Sequence, residues 1–316
     1  MSLEQDQFRS HEEWFMNFLW NTDQKQVQIR TIMDFLGSGG FPDLRNRLVD
    51  PNYSLGFLFV GGGTGKSELG IANWLLQIRR LVENSQGADV YKDNIDITYE
   101  DPSIQMHERF RDEYRAMDLA HLIKERSAER FEDPHFTPPD VDIALGLQMW
   151  SYIEGWQGSE FELNPLTKFA RTATQKKGFG VLSIQSRGGD LHATRGEHFP
   201  ELHGHEDIVA EDIEEELKRL QIDFQSVTKS AFTSVGSCFR DGVFNPNSTG
   251  KGILSFMFRK DWDSLDPSMQ QAVAQKTERL VRLNRRHSLA RKPTLIFRDT
   301  FIFIPGNQEI LGANSV

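Results

Sequence analysis

A short apolar run followed at once by a glycine-rich stretch constrains what this chain can fold into more than any other feature. Residues 57–67 read FLFVGGGTGKS. The run FLFV is typical of a buried strand, and apolar residues with helical spacing follow the serine. Glycines let backbone N–H groups point at a ligand without Cβ clashes, and a new helix N-terminus adds partial positive charge. The sequence therefore predicts a strand–loop–helix unit that binds phosphate.

The lysine and serine that end this stretch predict binding of a nucleoside triphosphate. In the pattern G-x-x-x-x-G-K-[ST], the lysine reaches the β- and γ-phosphates and the last hydroxyl ligates Mg²⁺. Val60 holds the first position of that pattern, so the glycines begin one place later. We still interpret the stretch as a phosphate-binding (Walker A) loop for ATP and Mg²⁺. Ser67 is the expected metal ligand and Lys66 also a catalytic residue, and the predicted nucleotide-binding residues are Gly61, Gly62, Gly63, Thr64, Gly65, Lys66 and Ser67.

Strand and helix patterns alternate through the first two thirds of the chain. Alternating or continuous apolar residues predict strands over 94–100, 141–147 and 179–184, and helical spacing covers 8–36 and 106–130. Such alternation favours a mostly parallel sheet flanked by helices. We predict an α/β fold of the P-loop NTPase type, RecA-like, with a helical N-terminal segment.

The final third of the chain is less regular. Its patterns predict an acidic helix over 208–220, a strand over 252–258, a helix over 269–286 and closing strands over 294–304. We therefore expect three segments: a helical N-terminal segment, an ATPase core, and a C-terminal helix with closing strands. Their expected bounds are 1–50, 51–260 and 261–316.

Composition limits the class of protein and its location. The chain has 316 residues, of which 38% are apolar and 26% charged, as in soluble globular proteins. No apolar stretch approaches the roughly 20 residues that span a bilayer, and no signal-peptide pattern begins the chain. Cys238 is the single cysteine, which excludes an internal disulfide framework and fits a reducing compartment. We expect a cytoplasmic protein without a membrane span.

The residues expected to hydrolyse ATP are harder to identify. Hydrolysis needs an acid on a neighbouring strand and a group that orients the attacking water. The third predicted strand runs into Gln148 at the expected place of the acid, and glutamine cannot accept a proton from water. Three explanations stay open: a wrong register, a naturally weakened site, or a deliberate replacement. Glu100 and Asp101, which close the second strand, are alternative acids, as is Asp299. Gln185, after the fourth strand, is expected to sense the γ-phosphate.

The order of these pieces resembles the FtsK/HerA-type DNA-pumping ATPases, in the additional-strand division of P-loop proteins. In that family the loop is followed by a strand ending in acids, a helix with Arg and Lys, and a strand ending in Gln. The matching pieces here are 61–69, 143–148, 171–177 and 181–185. The resemblance implies a ring-forming homo-oligomer that translocates or packages double-stranded DNA.

A basic cluster near the C-terminus supports a nucleic-acid partner. Arg279, Arg282 and Arg286 have i, i+3, i+7 spacing, so one helix face would present all three to a phosphate backbone. The formal net charge of −10 does not indicate a protein coated in nucleic acid, but it leaves room for one basic surface. The alternative is a solvated helix end whose cations complement the helix dipole.

The leading functional hypothesis is an ATP-hydrolysing motor that acts on nucleic acid, weakened at Gln148. Two alternatives stay open. A small-molecule kinase uses the same kind of loop, with Asp101 as the base on the acceptor side. A nucleotide-binding module with little turnover is favoured if Gln148 does replace the acid.

Overall fold

The computed structural model describes residues 13–38, 46–48, 50, 52–85, 93–153, 159–160, 164–287, 292–306 and 308. Residues 13–19 are helical. The longer elements alternate along much of the chain. The helices are α1 (Gln24–Gly37), α2 (Lys66–Ser85), α3 (Ile104–Ala116), α4 (Pro165–Gln175), α5 (Asp190–Arg195), α6 (Phe199–His203), α7 (Ala210–Arg219), α8 (Ser248–Phe258) and α9 (Pro267–His287). The strands are β1 (Leu55–Val60), β2 (Ile95–Glu100), β3 (Ile123–Ser127), β4 (Ile143–Leu147), β5 (Phe179–Gln185), β6 (Gln225–Ser234), β7 (Phe239–Arg240), β8 (Val243–Phe244) and β9 (Thr294–Pro305).

Seven strands form one sheet in the order β3-β2-β1-β4-β5-β9-β6. The pairs β1–β2, β1–β4, β2–β3 and β4–β5 are all parallel. β9 runs opposite to β5, because Ser186 N donates to Arg298 O while Gly306 N donates to Gly178 O. The predicted α/β fold with a mostly parallel sheet flanked by helices is therefore confirmed.

The central strands are apolar because both faces of the sheet are covered. β1 reads LGFLFV and β4 reads IALGL, and every residue of both strands is buried. Parallel strands covered on both faces have continuous apolar runs rather than alternating ones. This explains why sequence patterns located β1, β4 and β5 within a residue or two.

The chain leaves β1 for β2 on one side of the sheet and later enters β4 on the other side. A parallel sheet has its ligand crevice at such a reversal of strand order, outside the carboxyl ends of the strands. The topology therefore places the glycine-rich stretch after β1 at the position where α/β folds bind ligands.

Two of the predicted elements differ in the structure. The helix expected over 106–130 ends early, and β3 follows it. β3 reads IKERS, a polar composition that suits a strand at the edge of a sheet and hides it from a hydrophobicity pattern. The strand expected over 252–258 belongs to helix α8, whose N-cap Asn247 accepts a hydrogen bond from Gly250 N. An apolar run buried on all sides does not reveal its period, so strand and helix look alike.

Contacts divide the chain into two units. The first unit comprises Met1–Val27, Gln185–Ala210 and Thr228–Thr300, and the second comprises Gln28–Ile184, Glu211–Val227 and Phe301–Val316. The segment bounds expected at residues 50 and 260 stay a prediction.

Each unit has its own apolar interior. In the first unit, α8 packs its buried side chains with Phe18 and Phe297, and the Phe18 and Phe297 rings stack 5.8 Å apart. In the second unit, the Phe35 and Phe303 rings stack 3.6 Å apart. Within the described parts of the chain, no helix combines the length and the apolar character that crossing a membrane requires.

Candidate functional site

The glycine loop, residues 61–65, forms a tight turn between β1 and α2 in the second unit. Gly61 and Gly63 have φ angles of +54° and +53°, in the left-handed region that favours glycine. The turn is closed by Gly65 N, which donates to Gly62 O over 2.8 Å. Helix α2 then begins at Lys66. The predicted strand–loop–helix unit is present as the sequence indicated.

The glycine loop packs tightly on three sides and is open on one. An added Cβ would lie 2.7 Å from Met149 Cβ at Gly61, 2.9 Å from Tyr99 Cε2 at Gly62, and 2.4 Å from Phe110 Cδ2 at Gly65. At Gly63, by contrast, no described atom lies within 4 Å of that position. The glycine loop is therefore open on the Cα side of Gly63.

Two acids at the carboxyl end of β2 form hydrogen bonds with the glycine loop, and we call Glu100 and Asp101 the acid pair. Gly61 N donates to Glu100 Oε2 over 3.0 Å, and Gly63 N donates to Asp101 Oδ2 over 2.8 Å. Both acids are buried. Two of the loop N–H groups that the sequence assigned to phosphate thus bind carboxyl groups of the same chain.

Burial makes the acid pair easy to protonate. Burial, with smaller contributions from the charges of Asp101 and Glu132, raises the pKa of Glu100 to about 8. Burial also raises the pKa of Asp101, although N–H groups of Ser103 and Gly63 oppose the shift. A ligand with several negative charges would add repulsion to acids that already resist ionisation.

Ser67 lies away from the opening of the glycine loop. The residue is fully buried, and its hydroxyl donates to Gln28 Oε1 of α1 over 2.6 Å. Gln28 Nε2 is buried too and has no hydrogen-bond partner among the described residues. Lys66, by contrast, is exposed. The contact between Gln28 and Ser67 joins residues 39 positions apart, so local sequence patterns could not predict it.

Gln148 lies at the carboxyl end of β4, which pairs with β1. It follows β4 directly, has a φ of +64°, and its backbone N donates to Ser183 O over 2.7 Å. The next residue, Met149, packs against Gly61. Gln148 Nε2 is buried and, among the residues that the structure describes, lacks a hydrogen-bond partner. The structure therefore has an unused buried donor on the residue that precedes this contact.

Gln185 and Asp299 belong to the first unit, and both are held by their own neighbours. Gln185 Nε2 donates to Asp207 Oδ1 over 2.9 Å and to Ile208 O over 3.1 Å. Asp299 is fully buried and accepts hydrogen bonds from Gln24 Nε2 at both carboxylate oxygens, over 3.1 and 2.9 Å. The amide that was expected to sense a γ-phosphate instead orients Asp207.

The basic cluster lies on α9. Arg279 and Arg282 are exposed, and Arg282 is 3.8 Å from Glu278 one turn earlier. The side chain of Arg286 falls outside the described residues. This geometry is that of a solvated helix face with an i,i+4 ion pair.

Comparison with known proteins gives matches in structure only. No protein-family model and no curated protein matches the chain. One similar structure is the YcgJ protein of Bacillus subtilis, with 9% identity and a TM-score of 0.49 over 84% of this chain and 98% of that one. A loganic acid methyltransferase with SAH has 10% identity and a TM-score of 0.45 over 89% and 91% of the two chains. A coclaurine N-methyltransferase bound to N-methylheliamine and SAH has 13% identity and a TM-score of 0.42 over 87% and 71%.

These findings correct the functional prediction from sequence. The resemblance to FtsK/HerA-type ATPases is wrong, because loop groups that such an ATPase uses for phosphate and Mg²⁺ have their partners within this chain. The DNA motor, the kinase and the nucleotide-binding module are corrected with it, as are ATP and Mg²⁺ as cofactors. The physical reason lies in the glycine loop, where the acid pair takes two N–H groups and Ser67 binds Gln28. Cytoplasmic location and homo-oligomerisation stay predictions.

Proposed function

We propose that this chain is a methyltransferase that uses S-adenosylmethionine. The observation that carries the proposal is the glycine loop, which closes on the buried acid pair at the strand-order reversal of a mostly parallel sheet. Methyl transfer is also the activity by which two of the matched structures are named, and both hold SAH, the demethylated form of this cofactor.

The acid pair is suited to an adenosyl group. In doubly wound sheets, a glycine-rich first turn holds the ligand and an acid after the second strand hydrogen-bonds the ribose hydroxyls. Asp101 has this position, directly after β2. Its Oδ2 accepts from Gly63 N and its Oδ1 from Ser103 N, and a carboxylate has further lone pairs for hydroxyl donors. We expect Asp101 to bind the ribose.

The charge of the site separates this cofactor from phosphate-bearing ones. A triphosphate or pyrophosphate would have to displace carboxyl groups from Gly61 N and Gly63 N and would then lie beside them. S-adenosylmethionine has no phosphate, and its positive sulfur and ammonium groups outweigh its single carboxylate. A cationic group favours the ionised form of these buried carboxyl groups, whereas a polyanion disfavours it.

Unused polar atoms of the second unit fit a polar ligand at this place. Thr64 Oγ1 and Gln148 Nε2 are buried, and neither has a hydrogen-bond partner among the described residues. Gly63 leaves its side of the loop open. The cofactor supplies a methyl group on a positively charged sulfur. The glycine loop and Asp101 would bind and orient it, and Gln148 would supply a hydrogen-bond donor.

Ligand binding measured by calorimetry tests this proposal. The ligands are S-adenosylmethionine, S-adenosylhomocysteine, ATP with Mg²⁺, and NAD⁺. We expect the first two to bind and the two phosphate-bearing ligands to fail. Binding of ATP with Mg²⁺ but of neither adenosyl ligand would overturn the proposal.

A pair of variants locates the site. Asp101→Ala should weaken S-adenosylhomocysteine binding by about a hundredfold, because hydrogen bonds to a charged group contribute about 1.5–3 kcal/mol each. Asp112→Ala removes an exposed acid from the adjacent α3 and should leave the affinity unchanged. Equal affinities for the two variants would place the ligand elsewhere.

A further inference from the structure

Glu100 has a second contact that ribose binding does not explain. Its carboxyl group accepts a hydrogen bond from Gly61 N and another from the backbone of Phe131. Phe131 belongs to residues 128–136, which follow β3, and we call them the β3 segment. A single buried carboxyl group therefore joins the glycine loop to the β3 segment.

The β3 segment is held firmly at its other contacts. Phe131 is buried, with ring centroids 6.2 Å from Phe169 and 6.4 Å from Trp150. Lys168 Nζ donates to Phe131 O over 2.8 Å and to Asp133 O over 2.9 Å. The ammonium also lies 5.2 Å from the Phe131 ring centroid. Glu100 therefore connects the glycine loop to a residue that is itself held by packing and by Lys168.

We infer that Glu100 is a positioning residue whose ionised carboxylate holds the glycine loop in its cofactor-binding shape, so that cofactor binding drives a proton off Glu100. The inference rests on the proposed function. Charged acceptors form shorter and stronger hydrogen bonds with N–H donors than neutral ones do. An ammonium group of the bound cofactor near Glu100 would favour the carboxylate.

The charges around Glu100 set the direction of this effect. Asp101 on β2 and Glu132 in the β3 segment oppose its ionisation, and burial opposes it most, with a resulting pKa of about 8. Lys168 of α4 is the facing cation. The buried phenol of Tyr99 lies next to Glu100 in β2 and also faces Glu68 and Arg126. The free site therefore holds a proton at neutral pH that a ligand with an ammonium group can displace.

Calorimetry of S-adenosylhomocysteine binding across pH tests the inference. From about pH 7 to about pH 9 the wild-type affinity should rise about tenfold, as one displaced proton with a pKa near 8 requires. Titrations near pH 7 in two buffers of different ionisation enthalpy should show release of close to one proton. This second measurement needs no variant.

Two variants test whether the proton released on binding comes from Glu100. Glu100→Gln should bind with an affinity that changes little over this range beyond the titration of the ligand itself, and it should release little or no proton. Glu129→Gln, an exposed acid of the β3 segment, should keep the wild-type profile. Identical pH profiles for wild type and Glu100→Gln, or an affinity that falls as pH rises, would overturn the role of Glu100. Failure of the wild type to bind either adenosyl ligand at any pH would instead overturn the proposed function.

Discussion

The chain contains two buried acid sites with opposite electrostatic surroundings, one in each unit. In the second unit, backbone N–H groups donate to the acid pair, and burial raises the pKa of both acids. In the first unit, Asp207 accepts hydrogen bonds from Arg195 over 2.8 and 3.1 Å and is 3.0 Å from His192 Nδ1. Despite burial, these partners lower the pKa of Asp207 to about 2.

The opposite pKa shifts indicate different roles: Asp207 stabilises the fold, whereas we propose that the acid pair binds a ligand. Asp207 has its counter-charges within the chain, and Gln185 and Arg195 join it to Ile208 O and Met257 O. The acid pair has hydrogen bonds but resists ionisation, which is the state that a cationic or hydroxyl-bearing ligand can change. Burial alone therefore does not distinguish a folding contact from a binding site, whereas the charge of the partners does.

The largest expected effect comes from removal of a counter-charge in the first unit. Arg195→Met leaves Asp207 buried without its guanidinium and should cost about 3–5 kcal/mol of unfolding free energy. Urea denaturation monitored by tryptophan fluorescence measures it. Arg240→Met, at an exposed arginine of the same unit, is the control and should shift the midpoint little. A midpoint for Arg195→Met equal to that of the control would mean that the ion pair contributes nothing net.

The two acid sites should respond to pH in opposite senses. The folded pKa of Asp207 is about 2, below its ordinary 3.8. The stabilisation of the fold by ionised Asp207 is therefore present above pH 4 and disappears as pH falls toward 2. The folded pKa of Glu100 is about 8, above its ordinary 4.5. The loss of unfolding free energy that burial of Glu100 causes is therefore absent at acid pH and grows as pH rises from 4.5 toward 8.

Variants at both sites make this contrast measurable. Relative to wild type, Glu100→Gln should gain about 3–4 kcal/mol of unfolding free energy between about pH 5 and about pH 8. Asp207→Asn should lose stability at neutral pH and approach the wild type in acid. Urea unfolding at several pH values gives both curves. If the stability difference from wild type changed with pH in the same direction for both variants, the proposed electrostatic difference between the two sites would be contradicted.

A matched pair of glycines should separate strain from ligand binding. Gly63 and Gly204 have φ angles of +53° and +74°, and at neither does a described atom lie within 4 Å of an added Cβ. Alanine at either position should cost about 1–2 kcal/mol of stability, the strain of a left-handed residue. Only Gly63→Ala should also weaken S-adenosylhomocysteine binding, because Gly63 faces the proposed cofactor. Equal loss of affinity in both variants would show that strain alone is responsible.

The smallest expected stability effect is at Gln148. Its Nε2 is buried without a hydrogen-bond partner among the described residues, so Gln148→Met removes an unused donor of similar size. Unfolding free energy should stay within about 0.5 kcal/mol of wild type. Cofactor affinity or methyl transfer should fall, because the proposed ligand loses a hydrogen bond. A large loss of stability with binding intact would show that Gln148 serves the fold alone.

The sequence by itself determined the central strands and the glycine loop. Continuous apolar runs such as FLFV predict buried parallel strands because both faces of the sheet are covered, and this rule needs no knowledge of the partner strand. The left-handed glycines at Gly61 and Gly63 are equally local, since φ depends on the residue itself. Edge strand β3 escaped this reasoning because its residues IKERS are polar.

Only the tertiary structure decided what the glycine loop can bind. The Gly-Lys-Ser sequence predicted phosphate and Mg²⁺, but the outcome depended on contacts between residues 38 and 39 positions apart. Glu100 and Asp101 occupy the loop N–H groups, and Gln28 holds the Ser67 hydroxyl. The two acids after β2 were visible in the sequence, yet their meaning required the pairing of β2 with β1. A local motif determines the shape of a loop, whereas the charge that surrounds the loop comes from distant residues that folding brings to it.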